Sequence, residues 1–252
     1  METTDLYGGR IKLCFDPGKH LYTVDGRPVD GVTSALGAIA KPALVPWAVK
    51  MAVEHFERSV KPGVALDEIE IARICADAKA AHRRSSGDAA AIGTLVHQFA
   101  EDVLDDGIAT MPVNPQAEAS CRAFLEWTRQ HNVKPSHVER RIYSHAYNYA
   151  GTCDLVAEID GRLTVADFKT SSGLYDEMRF QVSAYKAAMV EEGIVPEDAA
   201  RAIIRFSKVD GSFEFHRLPD ADDEPDFEAF LAALAIYRRQ RALNPPRGRK
   251  AA

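Results

Sequence analysis

The chain has 252 residues, 46% of them hydrophobic, and a formal net charge of -6. That length and apolar content support one large domain, or one domain with an extension, and no apolar run reaches the roughly 18 residues of a membrane span. An acidic chain is excluded as a general coat for nucleic acid, so any DNA contact has to be local. The N-terminus METTDLYGGR lacks the apolar stretch of a signal peptide. Cys14, Cys75, Cys121 and Cys153 are widely spaced with no CxxC, which argues against a zinc site or a disulfide framework and points to a reducing cytoplasm.

In chain order, RIKLCFD and HLYTVDG read as short strands, with Asp25-Gly26 as a turn. VTSALGAIAKPALVPWAVKMAVEHFERSV reads as a short helix, a break placed by Pro42 and Pro46, and a longer helix. Leu66 to His82 has helical spacing, and SSGD at 85–88 reads as a break and helix cap. DAAAIGTLVHQFAEDVL is a further helix, with Ile92, Leu95, Val96, Phe99 and Val103 on one stripe. A helix over 116–131 follows, then the strand HVERRIYSH and a hairpin over 150–173. FQVSAYKAAMVEEG is helical to Gly193; RAIIRFSK and SFEFHRL are strands joined through Asp210-Gly211, and a last helix precedes the tail. The order predicts a mixed α/β (α+β) domain, with a β/helical extension over 1–87 and the core over 88–252.

Charge is uneven along the C-terminal part. Asp220, Asp222, Asp223, Glu224, Asp226 and Glu228 cluster where a helix N-terminus favours acids. After Tyr237 there is no acid, but Arg238, Arg239, Arg241, Arg247, Arg249 and Lys250 are present. That tail reads either as a solvated end or as a contact to backbone phosphates.

The hairpin AGTCDLVAEIDGRLTVADFKTSSG holds three charges inside apolar strands, which is costly unless they are paired or bind a metal. With Asp160-Gly161 as a two-residue turn, Ile159 faces Arg162, Val156 faces Val165, and Asp154 faces Asp167. Alternation puts Lys169 on the Asp167 face. Opposed carboxylates destabilise a sheet, and a hard cation such as Mg²⁺ resolves the repulsion; an Asp–Lys salt bridge on a solvated face is the plainer reading. His97 lies off the apolar stripe of its helix, Glu139 precedes the hairpin, and Gln181 and Tyr185 share a helix face at i, i+4. Singly, each of these also fits an ordinary core or surface residue.

Together, in order, these residues resemble the PD-(D/E)XK nuclease superfamily in its RecB-like or phage-exonuclease branch. GTLVH (93–97) resembles the helix motif ending in histidine, and Glu139 stands where a supporting acid lies. GTCD (151–154) resembles the first acidic motif. VADFKT (165–170) resembles the D-x-K motif, with Asp167 in place of the commoner glutamate. QVSAY (181–185) resembles the Q-x-x-x-Y motif. HLYTVDGRPVDGVTSAL further resembles the N-terminal lead of phage-encoded members.

The resemblance implies a restriction-endonuclease-like core, a central mixed β-sheet flanked by helices. It implies that His97, Asp154, Asp167, the Phe168 carbonyl and Glu139 hold one or two Mg²⁺ or Mn²⁺ ions. Lys169 would position or activate the attacking water, and Gln181 and Tyr185 would orient the site and touch the DNA backbone. With no cysteine after Cys153, the iron–sulfur cluster of some relatives is not expected. The implied activity is a metal-dependent DNA exonuclease of recombination, repair or phage DNA processing. It would act on a single- or double-stranded end in a bacterial or phage-infected host cytoplasm, with a recombination or replication protein as a further partner. The alternatives are a structure-directed endonuclease and a catalytically silent DNA-binding or scaffold protein of the same fold.

Overall fold

A computed structural model of the chain describes residues 1–245. Four short antiparallel strands open it: β1 (Glu2–Leu6), β2 (Ile11–Asp16), β3 (Leu21–Val24) and β4 (Arg27–Gly31). The sequence reading missed β1, whose stability comes from pairing with β2 rather than from its own composition. Asp25 and Gly26 both take positive φ, 50° and 72°, as a tight hairpin turn requires.

Helices α1 (Val32–Leu36), α2 (Leu44–Ser59), α3 (Glu68–Asp106) and α4 (Pro115–Gln130) follow. The expected break at SSGD is not present: α3 is one helix of 39 residues running through Ser85–Asp88. Serine and glycine cost only about 1 kcal/mol or less inside a helix, and the alanine-rich stretches on both sides outweigh that. Asn114 starts α4 by accepting from the Gln116 and Ala117 amides at 3.0 and 3.1 Å, with Pro115 at the first turn.

Next come β5 (Val133–Ser144), β6 (Tyr149–Ile159), β7 (Arg162–Lys169), α5 (Asp176–Glu192), β8 (Ala200–Phe206), β9 (Phe213–Leu218) and α6 (Asp223–Leu243). Gly193, at φ 79°, ends α5 in the left-handed conformation. The nine strands form one sheet in the order β1-β2-β3-β4-β6-β7-β8-β9, with β5 also paired to β6. β4–β6 and β7–β8 run parallel and the other pairs antiparallel, so the sheet is mixed. This is the mixed sheet flanked by helices that the sequence predicts.

The chain forms two compact units, Met1–Ile39 with Val96 onward, and Ala40–Leu95. In the first, α1, α5 and α6 pack a core on the sheet through Leu36, Val156, Val165, Val182, Met189 and Phe230. Phe99, Phe124, Trp127, Phe168 and Phe206 form an aromatic cluster with ring centroids about 6 Å apart. The second unit carries α2 and the first part of α3. Among the described residues, no helix is long and apolar enough to cross a membrane.

The acidic run at the start of α6 does more than complement a helix end. Asp223 and Asp226 pair with the buried Arg201 at 2.9 and 2.7 Å. Asp223 also holds Lys186, and Asp222 holds Arg179 at 2.6 Å. These pairs lock α6 onto α5 and β8. The first cations of the C-terminal stretch are likewise engaged: Arg238 and Arg241 reach Asp30 at 2.8 and 2.6 Å. Arg247, Arg249 and Lys250 lie outside the described residues.

Candidate metal-binding and active site

β6 has two partners in succession on one edge. Tyr149 and Ala150 pair with β4, and Leu155 to Ile159 pair with β7. Gly151 to Asp154 lie in the interval between these two pairings. The β6–β7 register is the expected one: Ile159 faces Arg162, Val156 faces Val165, and Leu155 faces Ala166. It holds because Asp160 and Gly161, at φ 52° and 82°, make the two-residue turn.

The ladder stops one pair short of the expected facing of Asp154 and Asp167. The paired ladder ends at Leu155 and Ala166. Asp154 Oδ2 instead accepts a 2.6 Å hydrogen bond from the Phe168 backbone N–H. β7 meanwhile stays paired with β8 as far as Lys169 and Arg205. The two strands therefore fork, and the fork opens at the two aspartates. Like charges directly opposite repel; here one gains a backbone donor, and the charge of Asp154 still raises the Asp167 pKa.

Strand alternation in β7 sorts the remaining side chains. Asp167 and Lys169 form an ion pair, and Asp167 Oδ1 accepts from Gln181 Nε2 of α5 at 3.1 Å. Gln181 also donates to the Tyr185 hydroxyl at 2.7 Å. Phe168 points into the aromatic cluster against Phe124, Trp127 and Phe206. The Tyr185 ring lies over Gly151, where an added Cβ would stand 2.7 Å from its Cε1. The glycine of GTCD is thus a packing requirement of the Q-x-x-x-Y tyrosine.

His97 and Glu139 complete the other half of the site. His97 Nδ1 lies 3.6 Å from Asp154 Oδ1. One ligand atom each from His97, Glu139 and Asp154 fall within 4.8 Å of one another. Glu139 sits in β5 between Val138 and Arg140, which pair with Leu155 and Cys153, and so lies alongside Asp154. Its φ of 46° is in the left-handed region, uncommon for a residue other than glycine. Such backbone strain gathers at functional sites.

Sequence reasoning did not single out Glu101 or Arg141, both of which act electrostatically on this acid. Glu101 raises the Glu139 pKa and Arg141 lowers it. The available signal was spacing: Glu101 follows His97 by one helical turn, and Arg141 follows Glu139 by two residues.

The electrostatics show a surplus of negative charge. Asp154 is 7% and Asp167 1% exposed, whereas the His97 side chain is 31% exposed. Burial, then the charge of Asp154, push the Glu139 carboxyl up to about 7. Burial also pushes Asp167 up to about 6, against the pull of Lys169. Burial opposes charge on His97, but Asp154 outweighs it and raises the imidazole to about 9. Asp154 itself is lowered: burial works against its charge, and His97, Lys169 and the Phe168 N–H overcome it.

These residues fit a divalent ion. One imidazole and two carboxylates converge, and Glu139 and Asp167 resist ionising unless a further positive charge arrives. Asp167 Oδ2 is occupied by the Lys169 ammonium. The converging set is His97, Glu139 and Asp154; Asp167 is turned toward Lys169 and Gln181.

The family model of the PD-(D/E)XK nuclease superfamily matches residues 113–246, just over half of the chain, and the chain belongs to that superfamily. Nuclease chemistry on a nucleic-acid substrate follows from membership, and members generally use divalent metals. The matched span contains Glu139, Asp154, Asp167, Lys169, Gln181 and Tyr185; His97 lies upstream and joins them through the contact with Asp154. A search of curated proteins found no match.

Proposed function

We propose that the chain is a metal-dependent DNA exonuclease of the RecB-like or phage-type branch, serving recombination, repair or phage DNA processing in a cytoplasm. The observation that carries this reading is the meeting of His97, Glu139 and Asp154 with the Asp167–Lys169 pair at one strand fork. In this reading His97, Glu139, Asp154 and Asp167, with the Phe168 carbonyl, hold one or two Mg²⁺ or Mn²⁺ ions. A divalent ion bound there supplies Lewis-acid polarisation of the scissile phosphate and acidifies a water.

The chain's own groups do the rest. Burial works against the charge on Lys169, but Asp167 and Asp154 outweigh it and hold the amine protonated. Lys169 is therefore a donor: it orients the attacking water or neutralises a phosphate oxygen. Gln181 fixes Asp167 and is itself braced by Tyr185. The Asp154 bond to the Phe168 amide ties the two acidic motifs together, so a displacement of one strand is felt by both. DNA contacts are mainly to the backbone, weakly sequence-specific and salt-sensitive.

One gel tests the reading. End-labelled single- and double-stranded DNA, linear and circular, is incubated with Mg²⁺, Mn²⁺ or a chelator. An exonuclease degrades linear DNA from its ends in either metal and leaves circles intact. Cleavage of circles at the same rate would make the chain an endonuclease; no metal-dependent cleavage would remove the catalytic reading.

A further inference from the structure

The loop that joins the two halves of the site carries an exposed ring. It runs from Thr170 to Tyr175, between Lys169 at the end of β7 and Asp176 at the start of α5. It therefore links the strand bearing Asp167 and Lys169 to the helix bearing Gln181 and Tyr185.

Hydrogen bonds stitch this loop in place. Arg205 Nη1 donates to the Ser171 carbonyl at 3.2 Å, and Ser171 Oγ donates to the Gly173 carbonyl at 2.7 Å. The Tyr175 carbonyl accepts from the Met178 amide at 3.0 Å. The Tyr175 hydroxyl meets Ser172 Oγ at 3.2 Å. The side chain is thus held at its tip and its backbone by the turn, yet it is 45% exposed. Among the described residues no other aromatic ring packs on it, whereas Tyr147, about equally exposed, lies edge-on to Phe227.

We propose that Tyr175 is a positioning residue that stacks on a nucleobase flanking the scissile phosphate, and that the site thereby prefers a strand whose bases are unpaired. This rests on the nuclease reading given above. Gln181, which touches Asp167, is six residues further along α5, so Tyr175 stands about 9 Å back along the helix axis. Tyr175 also closes the six-residue loop that starts directly after Lys169, so one short turn joins the ring to the Asp167–Lys169 pair. A tethered ring has little freedom left to lose when a base settles on it.

Stacking also suits this chain electrostatically. Its net charge is -6, so affinity for a polyanion cannot come from overall attraction. A ring face binds any base, because every base has a π-face, and this keeps cleavage independent of sequence. In a duplex those faces are covered by neighbouring bases; at an unpaired end they are free.

The test is steady-state cleavage of short end-labelled single strands in Mg²⁺ by wild type, Tyr175→Ala and Tyr175→Phe. A second set of strands carries one abasic residue, moved stepwise from the end. Tyr175→Ala is expected to raise KM about tenfold with kcat within about twofold, since base–ring stacking is of that size. Tyr175→Phe, which keeps the face but loses the Ser172 tether, falls between wild type and Tyr175→Ala, and thermal melts of all three proteins coincide. An abasic residue at one position costs wild type the same factor and costs Tyr175→Ala nothing further. An unchanged KM for Tyr175→Ala, or abasic penalties equal in both proteins, overturns the proposal. A wild-type protein that degrades linear duplex but none of these strands overturns this proposal alone; one that cleaves neither, in Mg²⁺ or Mn²⁺, contradicts the nuclease reading itself and takes this inference with it.

Discussion

Asp154 Oδ2 accepts a 2.6 Å hydrogen bond from the backbone N–H of Phe168, so the first acidic motif is fastened to the middle residue of the D-x-K motif. The bond lies where the β6–β7 ladder ends. It directs Asp154 toward His97 and Glu139 and leaves Asp167 to Lys169 and Gln181. The two aspartates of one hairpin thereby acquire different surroundings and opposite pKa shifts.

The left-handed backbone at Glu139 gives a way to separate its charge from its conformation. Glycine takes φ 46° without strain. Glu139→Gly is expected to weaken Mn²⁺ binding at least tenfold, as titration calorimetry would read it. The melting temperature in chelator should not fall, because the variant loses a desolvated acid and a strained residue together. Unchanged ion affinity would remove Glu139 from the metal set.

Gly151→Ala tests the packing of the tyrosine motif. The new Cβ would lie 2.7 Å from Tyr185 Cε1 and 3.3 Å from Val32 Cγ2, and both neighbours are buried. Overpacking of this kind costs about 1–3 kcal/mol, measurable by urea unfolding. Activity should fall further than stability alone explains, since Tyr185 braces Gln181 and Gln181 holds Asp167. A variant with wild-type stability and turnover would show that the ring moves aside freely.

The pH dependence of the chelated protein has a definite sign. Glu139 is raised from 4.5 to about 7, Asp167 from 3.8 to about 6, and His97 from 6.5 to about 9. For each, the folded chain binds the proton more tightly than the unfolded chain. The stability they contribute is complete below the unfolded pKa and is lost as pH rises through the folded one. The lowered pKa of Asp154 works the other way, but its window lies below about 4. The melting temperature in chelator should therefore fall between about pH 5 and 9, and Glu139→Gln should flatten the part below about 7. Divalent-ion binding should strengthen over the same range, because the ligands must shed protons. A melting temperature that climbs with pH in chelator would contradict this charge arrangement.

The parts of the site that were legible in the sequence are those set by local rules. Asp160-Gly161 defined the turn, and the turn defined the register through Leu155 and Ala166. Helical spacing placed Gln181 beside Tyr185, and Gly193 marked the end of α5. What stayed hidden depends on partners distant in the chain. The fork arises because β6 shares one edge between β4 and β7 while β7 keeps to β8. No property of a glutamate announces the left-handed backbone of Glu139. The acids in the first turn of α6 looked like ordinary helix-terminal residues until Arg201 and Lys186 were seen to reach them from β8 and α5. At Ser85–Asp88 the error was local: turn-forming residues were given more weight than the helix-forming stretches beside them.

The central claim is that the forked hairpin is the seat of metal-dependent phosphodiester hydrolysis. The most direct measurement compares wild type with Asp167→Ala on end-labelled linear DNA in Mg²⁺, with a thermal melt of each protein. The account predicts that the variant melts cooperatively as a folded protein, because a buried carboxyl with a raised pKa is removed, and that its cleavage is at the chelator background. Wild-type cleavage by a folded Asp167→Ala protein would contradict it.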